Sequence, residues 1–269
     1  MSISCTSEKS ENLFELLTPN YTGVSHINTI KSTPELNVFK YRNFYNGGGV
    51  SIGDVNNDGL PDLYFTINRG ENKLYLNKGN LTFEDVTQIS GVSGTKPWST
   101  GVVMVDINHD GWLDIYVCNA GIDKGSQQDN ELFINQQDGS FKDQAVEYNL
   151  AESGITTHAA FFDYDNDGDL DVYLLNNSFI PVTSLGYNDK RELRDKDWKV
   201  SEALKGGGDR LLKNENGVFV DVSEQAGIYG SLIGFGLGVT LGDINNDGYI
   251  DIYVSNDFYE RDYLYVNQQ

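Results

Sequence analysis

Asp54-Val-Asn-Asn-Asp58-Gly-Leu-Pro-Asp62 places three carboxylates and two side-chain amides within nine residues and turns on one glycine. The same frame, D-x-[DN]-x-D-G-x-x-D, returns as Asp106-Ile-Asn-His-Asp110-Gly-Trp-Leu-Asp114, Asp163-Tyr-Asp-Asn-Asp167-Gly-Asp-Leu-Asp171 and Asp243-Ile-Asn-Asn-Asp247-Gly-Tyr-Ile-Asp251. The starts lie 52, 57 and 80 residues apart. The chain is therefore an array of repeats, and a period near 50 governs the fold more firmly than any local propensity.

The flanks repeat with the frame. Before it runs a short apolar stretch rich in small residues: Gly49 to Gly53, Gly101 to Val105, Ala159 to Phe162 and Gly238 to Gly242. After it comes Leu63-Tyr-Phe65, Ile115-Tyr-Val117, Val172-Tyr-Leu174 or Ile252-Tyr-Val254. A third run ends at Asn77, Asn135, Asn214 or Asn267, and a fourth begins near Phe83, Phe141 or Phe219. Short β-rich runs separated by Gly/Asn/Asp turns read as strands. Four strands per ~50 residues is the make-up of a propeller blade. The expected fold is thus all-β, a β-propeller of four-stranded blades, with about four blades present as part of a larger propeller. Residues 1–13 read as a polar N-terminal tether and 14–269 as the blades. Phe14 to Val24 resembles Phe83 to Val92, so it is expected to be a fourth strand with no blade before it. The 80-residue interval contains an insertion, and Asp189 to Leu204 within it reads as one short helix, capped by Asn188 or Asp189 and stopped by Gly206 to Gly208.

The aspartate frame suits a hard cation. Calcium takes six to eight oxygens from carboxylates, amide and backbone carbonyls and water. Side chains at positions 1, 3 and 5 of a tight loop converge on one point, Gly at position 6 permits the turn, and position 9 closes the shell. The expected ligands are Asp54, Asn56, Asp58 and Asp62; Asp106, Asn108, Asp110 and Asp114; Asp163, Asp165, Asp167 and Asp171; and Asp243, Asn245, Asp247 and Asp251. Position-7 carbonyls would come from Leu60, Trp112, Asp169 and Tyr249. An EF-hand shares the first half of this frame but needs Glu at position 12 and an exiting helix. Position 12 here is Phe65, Val117, Leu174 or Val254, each inside a β-rich run. About four Ca²⁺ ions are expected.

Composition agrees. The chain of 269 residues carries 19 Lys and Arg against 40 Asp and Glu, a net charge of −21. Such a field repels nucleic acid phosphates. With 16 Tyr and 13 Phe the chain is not a disordered acidic tail. Thirteen of the acidic residues stand at side-chain ligand positions, where like charges repel unless a cation neutralises them. The two cysteines, Cys5 and Cys118, give no disulfide framework. Cys118 sits in an apolar run and reads as a buried small hydrophobe; Ser2-Ile-Ser-Cys5 followed by a polar stretch looks like the end of a bacterial lipoprotein signal, so Cys5 is either the lipidated residue or an ordinary exposed thiol.

These loops and their flanking strands resemble the FG-GAP/VCBS repeat family, whose blades carry such a loop between their first two strands, as in integrin α-subunit propellers. Tyr41-Arg-Asn-Phe-Tyr-Asn-Gly-Gly-Gly49 and Gly234-Phe-Gly-Leu-Gly238 carry a narrower resemblance to bacterial proteins of the cartilage-acidic-protein-like group. The resemblance implies secretion or display on the outer cell surface, calcium-stabilised blades and a binding role.

Calcium loops join strands one and two, so the strand two-to-three loops gather on the opposite face, around the axial opening. Trp98, Asn119, His158, Asn177, Asn256, Asp257 and Arg261 are the candidate ligand-binding residues there, and the insertion after Ser178 belongs to the same face. Long loops on a rigid scaffold usually carry binding. The expected function is protein binding or adhesion at the cell surface, with no catalysis, no nucleic acid partner and membrane attachment only through a lipid anchor. The alternative is a carbohydrate-binding module, in which Trp98 stacks on a sugar. A glycan-active enzyme is a more distant one, resting on Asp257 and Glu260. Three scattered His and no G-x-S-x-G, H-E-x-x-H or P-loop speak against an enzyme.

Overall fold

Bulky β-branched and aromatic residues between Gly/Asn/Asp turns form pleated, half-buried surfaces, and in this chain each such run finds its neighbour in sequence. The structure, a computed structural model, describes residues 12–121, 128–178, 180, 193–201, 205, 207–257 and 260–269. Four antiparallel sheets follow one another. The first holds β1 (Val50–Gly53), β2 (Asp62–Phe65), β3 (Lys73–Asn77) and β4 (Phe83–Asp85). The second holds β5 (Ser99–Val105), β6 (Asp114–Asn119), β7 (Glu131–Asn135) and β8 (Phe141–Asp143). The third holds β9 (Ile155–Phe162), β10 (Asp171–Asn177), β11 (Arg210–Glu215) and β12 (Val218–Asp221). The fourth holds β13 (Gly236–Gly242), β14 (Asp251–Asn256) and β15 (Tyr263–Tyr265). These are propeller blades, meandering from an inner strand outward.

The inner strands β1, β5, β9 and β13 contact one another in that order. Three hydrophobic cores fill the spaces between successive blades. Tyr64, Leu74 and Val92 of the first blade meet Val102, Ile115 and Phe133 of the second. Tyr116, Leu132 and Leu150 meet Val172, Leu174 and Phe219. Tyr173, Leu211 and Ile228 meet Ile252, Val254 and Tyr263. One tyrosine per blade, two residues after the frame's last Asp, shows how this packing depends on a neighbour. Tyr64, Tyr116 and Tyr173 are fully buried, whereas Tyr253 of the last blade is 41% exposed. At the other end Val50 and Ile52 of β1 are more than half exposed. The four sheets form an open arc.

Two expectations are corrected. Phe14 and its neighbours form no strand: Leu13, Phe14 and Leu16 are over 90% exposed, because no described strand pairs with them. The likeness to Phe83 to Val92 holds one turn later. Helix α1 (Pro19–Thr22) ends on Gly23 at φ 80°, as α2 (Thr87–Ser90) ends on Gly91 at φ 74°. The helix expected over Asp189 to Leu204 is also absent from the described part of that stretch. Arg194 bridges to Ser231, and a single 3-10 turn, Asp195–Asp197, follows. Leu193, Trp198 and Val200 pack on Ile180, Leu232 and Ile233, and this tertiary contact overrides local helix propensity. Residues 189–192 and 202–204 lie outside the described residues.

Candidate metal centres

Each frame joins the first two strands of its blade: residues 54–61, 106–113, 163–170 and 243–250 are the connections β1–β2, β5–β6, β9–β10 and β13–β14. The loops share one backbone course. Position 4 is left-handed in all of them, with φ of 56° at Asn57, 57° at His109, 59° at Asn166 and 60° at Asn246. The glycine at position 6 is left-handed too, for example φ 85° at Gly59. Asparagine tolerates this region better than most side chains, which explains a position left unassigned in the sequence reading. The position-1 aspartate then caps the turn. Asp54 Oδ1 accepts from Asp58 N at 3.2 Å and its Oδ2 from Gly59 N at 2.7 Å. Asp106, Asp163 and Asp243 repeat the pair of bonds.

Position 9 is the anchor. Asp62, Asp114, Asp171 and Asp251 open the second strands and are at most 1% exposed. Each carboxylate accepts two backbone N–H groups: Asp114 takes Ile107 N at 3.2 Å and Asn135 N at 2.8 Å. Asn135 Nδ2 in turn donates to Leu113 O of its own loop and, at 2.8 Å, to Val55 O in the loop of the preceding blade. Asn267 repeats this, reaching Tyr164 O at 2.7 Å. The asparagines that close the third runs thus tie the strand to its own loop, and Asn135 and Asn267 tie it to the neighbouring blade as well, a role that their recurrence signalled but did not reveal.

A hard cation fits this donor set. Burial raises the Asp62 carboxyl above its ordinary value and pushes Asp114 and Asp171 up to about 6, and a bound cation would hold them ionised. In the third loop Asp163, Asp165 and Asp171 each offer a carboxylate oxygen within 4.8 Å of the others. Asp165 Oδ1 and Asp169 Oδ1 there are buried with no hydrogen-bond partner. Lys213 of β11 also enters this loop, pairing with Asp165 and, at 3.1 Å, with Asp167; these two partners raise its pKa.

The opposite ends of the inner strands line a hollow of about 420 Å³, walled by Gly48, Gly49, Thr100, Gly101, Thr157, His158 and Leu237 among others. Each of β5, β9 and β13 carries a register shift there, leaving Thr100 and Gly101, Thr157, and Leu237 unpaired with their second strands. His158 lines this hollow, and burial lowers its pKa. Asn256, Asp257 and Arg261 lie together between β14 and β15, where Asn256 Nδ2 donates to Arg261 O; Glu260 accepts from the Tyr263 hydroxyl. Three candidates are corrected. Trp98 is 3% exposed, packed edge-on to Tyr41 at 5.1 Å and tilted against Phe44, so no ligand can stack on it. Asn119 is fully buried, with its amide engaged by Ser99, Asp129 and Glu131. Asn177 is buried as well, bridging to Phe235. Cys118 is a buried free thiol whose burial raises its pKa, while Cys5 lies outside the described residues.

A device of the same face escaped the sequence reading. The residue before each third strand accepts the N–H of a residue that ends or follows the second strand. Asn72 takes Ile67 N, Asn130 takes Asn119 N, Asp209 takes Asn176 N and Asp262 takes Asn256 N. In three blades it also meets the recurrent tyrosine hydroxyl.

A family model described as FG-GAP-like repeat matches residues 40–117 and 120–174. The chain belongs to the FG-GAP-like repeat family. Those matches cover the first two blades and the inner half of the third. Cartilage acidic protein 1 of Xenopus tropicalis is 32% identical over 138 residues, half of this chain and 20% of that protein. The mouse protein of that name is 30% identical over 133 residues, and the human one 29% over 136. The chain spans about a fifth of the length of these curated relatives. No helix among the described residues is long and apolar enough to cross a membrane.

Proposed function

We propose that this chain is a calcium-stabilised FG-GAP module that works outside the cell or on its outer surface, binding a protein partner. The observation that carries the reading is the loop itself, repeated four times with a buried carboxylate at its ninth position that ties the loop to the third strand. In this reading calcium is structural: Asp54, Asn56, Asp58 and Asp62 and their counterparts hold the ion, which supplies charge to carboxylates that burial would otherwise neutralise. Four ions would bring the net charge from −21 to −13. Extracellular fluid is rich in calcium, which suits the setting. The relatives are named acidic proteins of cartilage, and this chain shares their acidity. Partner binding is assigned to the hollow and the loops around it, because the loops on the other face are committed to holding the blades. A sugar-binding reading loses its main support with Trp98 in the core.

The test is thermal unfolding of the chain in millimolar Ca²⁺ and in chelator. A ligand that binds only the folded state stabilises it by about 2.7 kcal/mol per site at a hundredfold excess over its Kd. The midpoint rises with calcium and falls back with chelator if the reading is right. A midpoint indifferent to both overturns it.

A further inference from the structure

We infer that Lys213 is a resident counter-ion for the third loop, holding it in its ion-binding shape without calcium and competing with calcium for it. The inference rests on the calcium reading of the loops and on a difference between them. In loops one, two and four position 3 is asparagine, and its amide joins position 5: Asn56 Nδ2 donates to Asp58 Oδ2 at 3.0 Å, Asn108 to Asp110 at 3.1 Å, and Asn245 to Asp247 at 2.9 Å. In loop three position 3 is Asp165, which has no proton to donate. The Lys213 ammonium takes the amide's place, bridging Asp165 Oδ2 and Asp167 Oδ2. The equivalent residues in the other blades, each just before the closing asparagine, are Leu76, Ile134 and Val266. A cation therefore accompanies the one loop whose third position is a carboxylate.

Charge explains the pairing. Loop three carries five carboxylates in nine residues where its sisters carry three. Without a cation these would repel and spread. With Lys213 on Oδ2 of Asp165 and Asp167, one oxygen each of Asp163, Asp165 and Asp171 gather within 4.8 Å while Asp165 Oδ1 and Asp169 Oδ1 remain unpartnered. An incoming Ca²⁺ meets a shaped loop but must share its ligands with a positive charge or expel it. A lysine held by two partly exposed carboxylates lowers affinity for a competing cation by about tenfold, equivalent to about 1.4 kcal/mol.

The experiment compares the full chain with K213M and K213R. Hydrogen exchange in chelator reads the amides of Asp167, Gly168 and Asp169, which are bonded within the loop. In the wild type they exchange about as slowly as their counterparts in loops one, two and four, where the asparagine amide plays the part of Lys213. K213M makes them exchange faster, and K213R keeps them slow. Calcium titration by calorimetry then finds one site about tenfold tighter in K213M. Unchanged exchange in K213M, or unchanged calcium affinities, overturns the inference and leaves Lys213 an ordinary surface ion pair. If neither protein takes up calcium, the calcium reading fails by itself, and loop exchange in chelator still decides whether Lys213 holds the loop.

Discussion

Asp209 offers a perturbation whose sign follows from the structure. It stands before β11 at the position held by Asn72 and Asn130 in the first two blades, accepting Asn176 N at 2.8 Å on Oδ1 and the Tyr173 hydroxyl at 2.8 Å on Oδ2. Burial raises its pKa from 3.8 to about 7 despite those two bonds. The folded state therefore holds its proton over a pH range in which the unfolded chain has lost it. Stability from this group is fully present below pH ~4, is lost as pH rises towards 7, and stays lost above. Each pKa unit is worth about 1.36 kcal/mol, so wild type forfeits roughly 4 kcal/mol by pH 8 and under half of that by pH 5. Asp209→Asn mimics the protonated acid: Oδ1 still accepts Asn176 N, and Nδ2 can donate to the tyrosine oxygen. Urea denaturation in chelator at pH 5 and pH 8 measures the effect. D209N should be the more stable protein at pH 8, and its lead should widen by about 2–3 kcal/mol from pH 5 to pH 8. Such a change is large beside total stabilities of about 5–15 kcal/mol. A lead that stays constant with pH, or a variant weaker than wild type at pH 8, would refute the reasoning.

Two further pairs of substitutions test the tie bars and the close approach of inner strands. Asn135→Ala strips Val55 O and Leu113 O of their donor, whereas Asn214→Ala strips only Leu170 O, at 3.3 Å; each also loses the side-chain oxygen that accepts one turn N–H, from Gln137 or Gly217, so that loss cancels in the comparison. Buried orphans cost about 1–3 kcal/mol each, so N135A should lose about 2 kcal/mol more than N214A in urea denaturation; equal losses would dismiss the bond between blades. Gly101→Ala sets a Cβ 2.5 Å from Thr157 O, while one at Gly242 meets nothing within 4 Å. G101A should cost about 3 kcal/mol and G242A well under 1, read from their urea midpoints, and similar costs would mean that the inner strands yield freely.

The loops, the strands and their order were legible because they rest on local chemistry repeated four times. Gly59 and its counterparts turn the chain, and Tyr64 and its counterparts alternate into a core, whichever blade they belong to. What was misread depends on contacts remote in sequence. Trp98 follows a Gly/Thr/Lys/Pro stretch that looks like an exposed loop, yet Tyr41 and Phe44, more than 50 residues earlier, enclose it. The stretch beyond Leu193 has helical composition, but Trp198 is drawn to Leu232 and Ile233. In the sequence Lys213 stands only as the residue before Asn214, where the other third runs carry Leu76, Ile134 and Val266. Its reason lies 48 residues away in Asp165.

The two ends of each inner strand obey different rules, and this divides structure from function. At the aspartate-loop end pairing is regular up to the loop: Gly53 faces Asp62, Val105 faces Asp114, Phe162 faces Asp171 and Gly242 faces Asp251. At the hollow three of the four strands slip register, and slips of this kind bend a strand and re-aim its side chains. The unpaired residues differ from blade to blade, Thr100 and Gly101 in one, Thr157 in the next and Leu237 in the last, although the loops beyond the other end are nearly identical. A repeat that only had to stack would keep both ends alike. Uniform carboxylates at one end and individual side chains at the other are what a module needs if ions fix its shape and the hollow selects its partner.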